Sequence, residues 1–123
     1  MIPKYKNNKV EIDGIKFDSK MEGNIYGIIK ENGLEYMLQP KYLLQEKFRY
    51  NNKVVREINY IGDFDLKINN VVYTIDVKGM ETQVFKIKAK MFLYRYGREI
   101  VRIKSMKHFR EWLNEIRENT RDM

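Results

Sequence analysis

The sequence predicts an α/β fold, a mixed β-sheet flanked by helices, with elements in the order α, several β, α, β, α. Three observations carry this. A capped amphipathic helix opens at Asp18-Ser19 and stops at Asn32-Gly33. A long hairpin turns at Asn69-Asn70. A strand, a helical stripe and a second strand then follow each other, which implies a crossover onto the same sheet.

Each element has its local reason. Residues 1–17 read as extended, with a turn at Asp13-Gly14. Ser19 and Glu22 have capping-box spacing, with Asp18 as the alternative cap. Met21, Ile25, Ile28 and Ile29 then share one helical face. Asn32-Gly33 ends the helix. Residues 34–39 and 41–50 read as strands around Pro40, which suits a bulge or an edge. Asn51-Asn52-Lys53 reads as a turn. Residues 58–68 and 71–78 form the two arms of the hairpin, because Asn tolerates the positive φ of a type I′ turn. Residues 82–96 alternate like a strand but also carry the stripe Phe85, Ala89, Phe92, Leu93 and Tyr96. Thr82 as cap, Gly97 as stop and the length of the segment decide for a helix. Residues 99–104 are a short strand. Ser105 caps a last helix with Phe109, Trp112, Leu113 and Ile116 on one face.

Composition limits the chemistry. The chain has 123 residues, which suits a single domain over 1–123. No Cys excludes disulfides, thiolate nucleophiles and Cys-bound zinc, and a single His, His108, excludes a His-cluster metal site. No apolar run is long enough for a membrane span, and the first residues lack the apolar stretch of a signal peptide, so a cytoplasmic location is expected. Twenty-four Lys and Arg against 17 Asp and Glu leave a net charge of +7. Such a surplus favours a polyanion such as nucleic acid, although solubility alone can also require it. No block of Lys or Arg exceeds two in a row, so a basic face or groove is expected rather than a basic tail.

The hairpin carries the strongest chemical signal. A two-residue loop at Asn69-Asn70 sets Ile68 opposite Val71 and places Asp63 opposite Asp76, with Cβ atoms about 5 Å apart. Asp65, Thr74 and Lys78 share that polar face. Phe64, Leu66, Ile68, Val71, Tyr73, Ile75 and Val77 fall on the other. Two facing carboxylates repel unless neutralised. Mg²⁺ neutralises them and accepts hard oxygens, here two carboxylates and a main-chain carbonyl. Lys78 can then orient a water or balance charge on a phosphate. The competing expectation is a solvated hairpin face with an acidic pair bridged by Lys78. Asp-x-Lys occurs three times in the chain, but only Asp76-Val77-Lys78 ends an apolar strand opposite another carboxylate.

These residues resemble a known family. Glu22 on a helix, Asp63, and Asp76-Val77-Lys78 after a hairpin are similar to the signature of the PD-(D/E)XK nuclease superfamily. Phe17-Asp18-Ser19-Lys20-Met21-Glu22, Leu38-Gln39-Pro40, Tyr60-Ile61-Gly62-Asp63-Phe64, Asp76-Val77-Lys78-Gly79 and Thr82 resemble small phage-encoded endonucleases, including Holliday-junction resolvases. The resemblance covers roughly residues 16–104. Gly62 stands where the superfamily name has its Pro.

The resemblance implies a restriction-endonuclease-like αβββαβ core with an added C-terminal helix. It also implies a Mg²⁺-dependent endonuclease, with Mn²⁺ as a substitute, that hydrolyses DNA phosphodiesters to 5′-phosphate and 3′-hydroxyl ends. Asp63, Asp76 and the Val77 carbonyl would bind the metal, Glu22 would complete the site, and Lys78 would be the catalytic lysine. Branched DNA is the preferred substrate, with a restriction-like or nicking enzyme close behind. A non-catalytic nucleic-acid-binding protein on the same fold, and an interaction module, are the other readings. A phage enzyme would work in the bacterial host cytoplasm, and cutting two strands would suit a homodimer.

Other residues carry two readings each. Glu22 either closes the capping box or reaches the site. Asp65 is a spare ligand or a solvated carboxylate. Gln39 touches the metal's water shell or merely ends a strand. Lys20, Lys86, Lys88, Lys90 and Arg95 contact phosphates or form a solvated helix face. Trp112 belongs to the core or to a dimer contact, and His108 to the surface.

Overall fold

The computed structural model describes residues 9–121, without the side chains of Thr120 and Arg121. The expected extension over residues 1–8 lies outside the described residues. The fold is mixed α/β, and the chain divides into two compact units, residues 1–34 with 103–123 and residues 35–102.

The first unit opens with a hairpin, β1 (Val10–Ile12) against β2 (Ile15–Phe17). Asp13 and Gly14 turn it with φ of 54° and 76°, as expected of the Asp-Gly pair. Helix α1 (Lys20–Glu31) follows, capped by Ser19, whose Oγ accepts the Glu22 N–H at 3.1 Å. Ser19 and not Asp18 is therefore the cap. At the other end Gly33 takes φ 61°, and the N–H groups of Gly33 and Leu34 donate to the carbonyls of Lys30 and Ile29. This is a Schellman stop, which needs the left-handed residue that Gly supplies. Gly23 lets the β1–β2 hairpin lie close on α1, since a Cβ there would stand 2.6 Å from Val10 Cγ2. Helix α3 (Met106–Arg121) starts under Ser105, whose Oγ accepts the His108 N–H at 3.0 Å. Arg117 ties α3 to the end of α1 by donating to Asn32 Oδ1 at 2.9 Å.

The second unit is built on strands. These are β3 (Glu35–Leu38), β4 (Lys41–Gln45), β5 (Phe48–Tyr50), β6 (Lys53–Val55), β7 (Ile58–Ile61), β8 (Phe64–Ile68) and β9 (Val71–Val77). Helix α2 (Gln83–Tyr96) and β10 (Val101–Ile103) follow. The main sheet has the order β10-β9-β8-β3, so α2 carries the chain from β9 to its neighbour β10. Thr82 Oγ1 caps α2 by accepting the Phe85 N–H at 3.1 Å, and Gly97 ends it at φ 69°. The helical choice for this segment holds, and three of its stripe residues are buried, while Leu93 and Tyr96 are exposed. Phe85, Ala89 and Phe92 form a core cluster with Leu44, Tyr60 and Ile100.

Two expected strands divide. Residues 41–50 break after Gln45, and residues 58–68 break at Gly62-Asp63. The reason is a change of partner. β7 pairs with β4, whereas β8 pairs with β3 and β9. The break at Gly62-Asp63 meets the junction of β3 and β4, because Gly62 N–H donates to the Pro40 carbonyl at 2.9 Å and Gln39 N–H to the Asp63 carbonyl at 3.0 Å. The short strand β6 was not foreseen; it pairs with β5 across Asn51-Asn52, both at positive φ.

The hairpin register is the expected one from Ile68 opposite Val71 to Phe64 opposite Ile75. The ladder stops there, one residue short of Asp63 and Asp76. Asp63 N–H instead reaches the Ile75 carbonyl at 3.0 Å, so the two aspartates are not a directly facing pair. The polar face of β8 and β9 is not solvated either, since Thr74 is 0% and Asp76 3% exposed. No helix among the described residues is long and apolar enough to cross a membrane.

Candidate active site

Two carboxylate centres lie on the polar face of β8 and β9, and each is held by groups from other elements. The first is Asp65. Thr74 Oγ1 donates to its Oδ1 at 2.6 Å, and the Tyr42 hydroxyl donates to its Oδ2. Arg98 in turn donates from Nη1 to Thr74 Oγ1 at 2.8 Å and from Nη2 to the Tyr42 hydroxyl at 2.9 Å. Each hydroxyl accepts from the guanidinium and gives its own proton to the carboxylate, which satisfies the inventory of both. Burial first, then the bond to Asp65, holds the Tyr42 phenol above its ordinary range. Asp65 is thus half-buried with both carboxylate oxygens accepting hydroxyl protons, and not the freely solvated carboxylate of one sequence expectation. It anchors a closed network.

The second centre is Asp76, near the end of β9. The Tyr60 hydroxyl, on β7, donates to Asp76 Oδ2 at 2.6 Å. Burial first, and the neighbouring Asp76 charge second, push the Tyr60 phenol far above its ordinary range, so it stays a neutral donor. Asp76 Oδ1 is different. It is buried and accepts no hydrogen bond. Its neighbour is the Lys78 ammonium at 3.3 Å, a charge contact outside hydrogen-bond geometry. Lys78 also lies 4.8 Å over the Phe85 ring. Asp63 stands beside this pair, its Oδ2 accepting the Val77 N–H at 2.7 Å.

Asp76, Lys78 and Tyr60 open on a cleft of about 290 Å³ lined also by Thr82, Phe85 and Lys88, whereas Asp63 is not part of its lining. Of the expected phosphate-binding residues on α2, only Lys88 lines it. At 100° per residue, Lys86 and Lys90 lie on the opposite flank of the helix from Lys88 and Arg95, and Arg95 pairs with Glu46 at 3.5 Å. The four cations therefore do not make one surface. Lys20 is exposed at the start of α1, and Glu22 is half-buried in the first turn of that helix, in the other unit. Gln39 is exposed in a left-handed conformation, φ 47°, between β3 and β4. His108 Nδ1 accepts the Lys104 N–H at 3.2 Å, a local contact of the helix start.

A family model for proteins of unknown function, DUF1064, matches residues 2–110. The chain belongs to the DUF1064 family. Comparison with curated proteins and with solved structures finds no match. The DUF1064 match spans both carboxylate centres and all of α2.

Sequence reasoning missed Tyr42, Arg98 and Arg102 as partners in this unit. Arg102 lies 5.3 Å from the Phe85 ring and pairs with Glu81 at 3.5 Å. Arg98 had no sequence signal, being an isolated cation just past a helix stop. Tyr60 had one, its place three residues before Asp63 on the same run. Among the described residues, no group of three or more His, Cys, Asp or Glu side chains could hold a metal ion. The carboxylates that the resemblance assigns to a metal, Asp63 and Asp76, would need main-chain or water oxygens beside them to hold an ion. The chemistry of that donor set is hard oxygen, which fits Mg²⁺ or Mn²⁺ and not a soft metal.

Proposed function

We propose that this protein is a Mg²⁺-dependent DNA endonuclease that hydrolyses phosphodiesters, with branched DNA such as a four-way junction as its substrate. One observation carries the reading. Asp76 is buried at the edge of a cleft with one carboxylate oxygen that accepts no hydrogen bond, beside a lysine ammonium at 3.3 Å. The ammonium offsets the charge of that oxygen, but its lone pairs accept no hydrogen bond and suit a hard cation. The net charge of +7 suits the polyanion.

In this reading Asp76, through Oδ1, and Asp63 hold the ion, with the Val77 carbonyl. Bound there, Mg²⁺ supplies an acidified water and offsets negative charge on the phosphate. Tyr60 holds Asp76 Oδ2 and so keeps Oδ1 directed at the ion. Lys78, kept in place by Asp76 and the Phe85 ring, balances the charge that builds on the phosphate during attack. Lys88 on the cleft wall takes a neighbouring phosphate as a point charge. For Glu22 and Lys20, in the first unit, the reading rests on the resemblance alone.

The test is cleavage of a four-way junction, a matched duplex and a single strand, with Mg²⁺, with Mn²⁺ and without metal. Asp76→Ala and Lys78→Ala should abolish cutting while DNA binding persists. Cutting of all three substrates would keep the nuclease and drop the junction preference. Salt-sensitive binding with no cutting in either metal would favour a binding protein whose Asp76–Lys78 pair is structural.

A further inference from the structure

The β5–β6 hairpin is not explained by the cleft. Every residue from Glu46 to Glu57 is exposed, including Phe48 at 48% and Tyr50 at 68%. Over residues 47–56 the chain carries Lys47, Arg49, Lys53 and Arg56 and no acidic residue. Among the described residues none of these four cations is ion-paired.

The hairpin is also an extension of the strands that form the site. After the irregularity between Leu43 and Gln45, β4 faces β7 with Gln45 opposite Ile58. β5 and β6 keep the same register beyond the break, with Phe48 opposite Val55. It is therefore one long ribbon whose root carries Tyr60, the donor to Asp76. Two contacts with α2 brace that root. Tyr96 hydroxyl donates to the Leu43 carbonyl at 2.7 Å, and Arg95 pairs with Glu46 at 3.5 Å. Beyond the root, facing pairs put Phe48, Val55, Tyr50 and Lys53 on one face, and Arg49 and Val54 on the other.

We infer that this hairpin is a DNA-binding wing that lies in a groove of the duplex next to the cut site. It rests on the proposed function only for its DNA partner, not for catalysis. A two-stranded ribbon fits the major groove, which is about 12 Å wide. From Ile58 to the tip at Asn52 the strand reaches at most about 20 Å, roughly six base pairs. The four cations meet phosphates, and the apolar side of Phe48 and Tyr50 meets sugars and base edges. Charge selects this occupant over a second copy of the chain. Two such hairpins packed face to face would bring like charges together.

The test measures binding of a fluorescent 20-base-pair duplex in EDTA, where no cutting competes, across a salt series. The wild type is compared with Lys47→Gln/Arg49→Gln/Lys53→Gln/Arg56→Gln, and with Arg49→Gln and Lys53→Gln alone. Each phosphate contact contributes about 0.9 to the slope of log K against log salt. The quadruple variant should lose about 2–4 of that slope and weaken at least about tenfold at 100 mM salt, and each single variant should lose about 0.9. An unchanged slope and affinity, or a wild type that binds no duplex, would overturn the wing. So would sedimentation showing a wild-type dimer that Phe48→Ser/Tyr50→Ser converts to monomer at unchanged DNA affinity. Absence of cutting with hairpin-dependent binding intact would instead overturn the nuclease reading and leave the wing standing.

Discussion

Replacing Tyr60 with Phe removes one oxygen and leaves the packing of the ring in place. That ring lies among Phe85 and Phe92, with centroids at 6.2 and 5.8 Å. The lost group is the donor to Asp76 Oδ2 at 2.6 Å, and both residues are 3% exposed. A hydrogen bond to a charged group contributes about 1.5–3 kcal/mol, and burial prevents water from replacing it. For a chain of this size that corresponds to a fall in Tm of roughly 6–12 °C. The loss should also depend on pH. The folded phenol titrates far above the unfolded one, so its stabilisation is complete below about pH 10 and declines as pH rises beyond that, because only the unfolded chain ionises. By pH 11 the wild type forfeits roughly 1 kcal/mol on this account, and Tyr60→Phe does not. The gap between the two proteins, read from urea unfolding at pH 8 and pH 11, should therefore narrow by roughly 1 kcal/mol. A Tm within about 1 °C of wild type at pH 8, or a gap independent of pH, would refute the role assigned to the hydroxyl.

Other expectations follow from the same unit. Arg98→Met should destabilise by about 2 kcal/mol, since two hydroxyls lose a charged donor, and it also removes the guanidinium lying 5.0 Å from the Phe92 ring; differential scanning calorimetry reads this, and a shift under about 2 °C would show that the fork is not structural. Gly62→Ala should cost about 1–3 kcal/mol. Its Cβ would stand 3.0 Å from Thr74 Cγ2, and Thr74 is 0% exposed and held by Asp65 and Arg98. If Gly62→Ala unfolds at the wild-type urea midpoint, the contact yields and the tight fit carries no energy.

Much of the fold was legible because it is local. Ser19, Thr82 and Ser105 act on N–H groups three residues away, and Gly33 and Gly97 act where the helix must stop. Asn69 and Asn70 take φ of 50° and 66°, and this turn alone sets the register of the strands on either side. The site was legible in part. Asp63, Asp76 and Lys78 are neighbours because they sit at the ends of one hairpin. How the cations of α2 divide between two flanks was not read, because counting cations along a helix does not say which of them share a flank.

The amino-acid sequence by itself determined the helices, their caps, the tight turns and the pairing of β8 with β9, since each depends on atoms within a few residues along the chain. Only the tertiary structure decided which strand leaves one ribbon for another at Gly62-Asp63, and what covers the polar face. Hydropathy alternation marks Asp65, Thr74 and Asp76 as water-facing. It has no term for partners such as Tyr42, Tyr60 and Arg98, which are up to 32 residues away from them in sequence. Tyrosine can cover such a face because its ring packs as an apolar group while its hydroxyl satisfies the carboxylate beneath it.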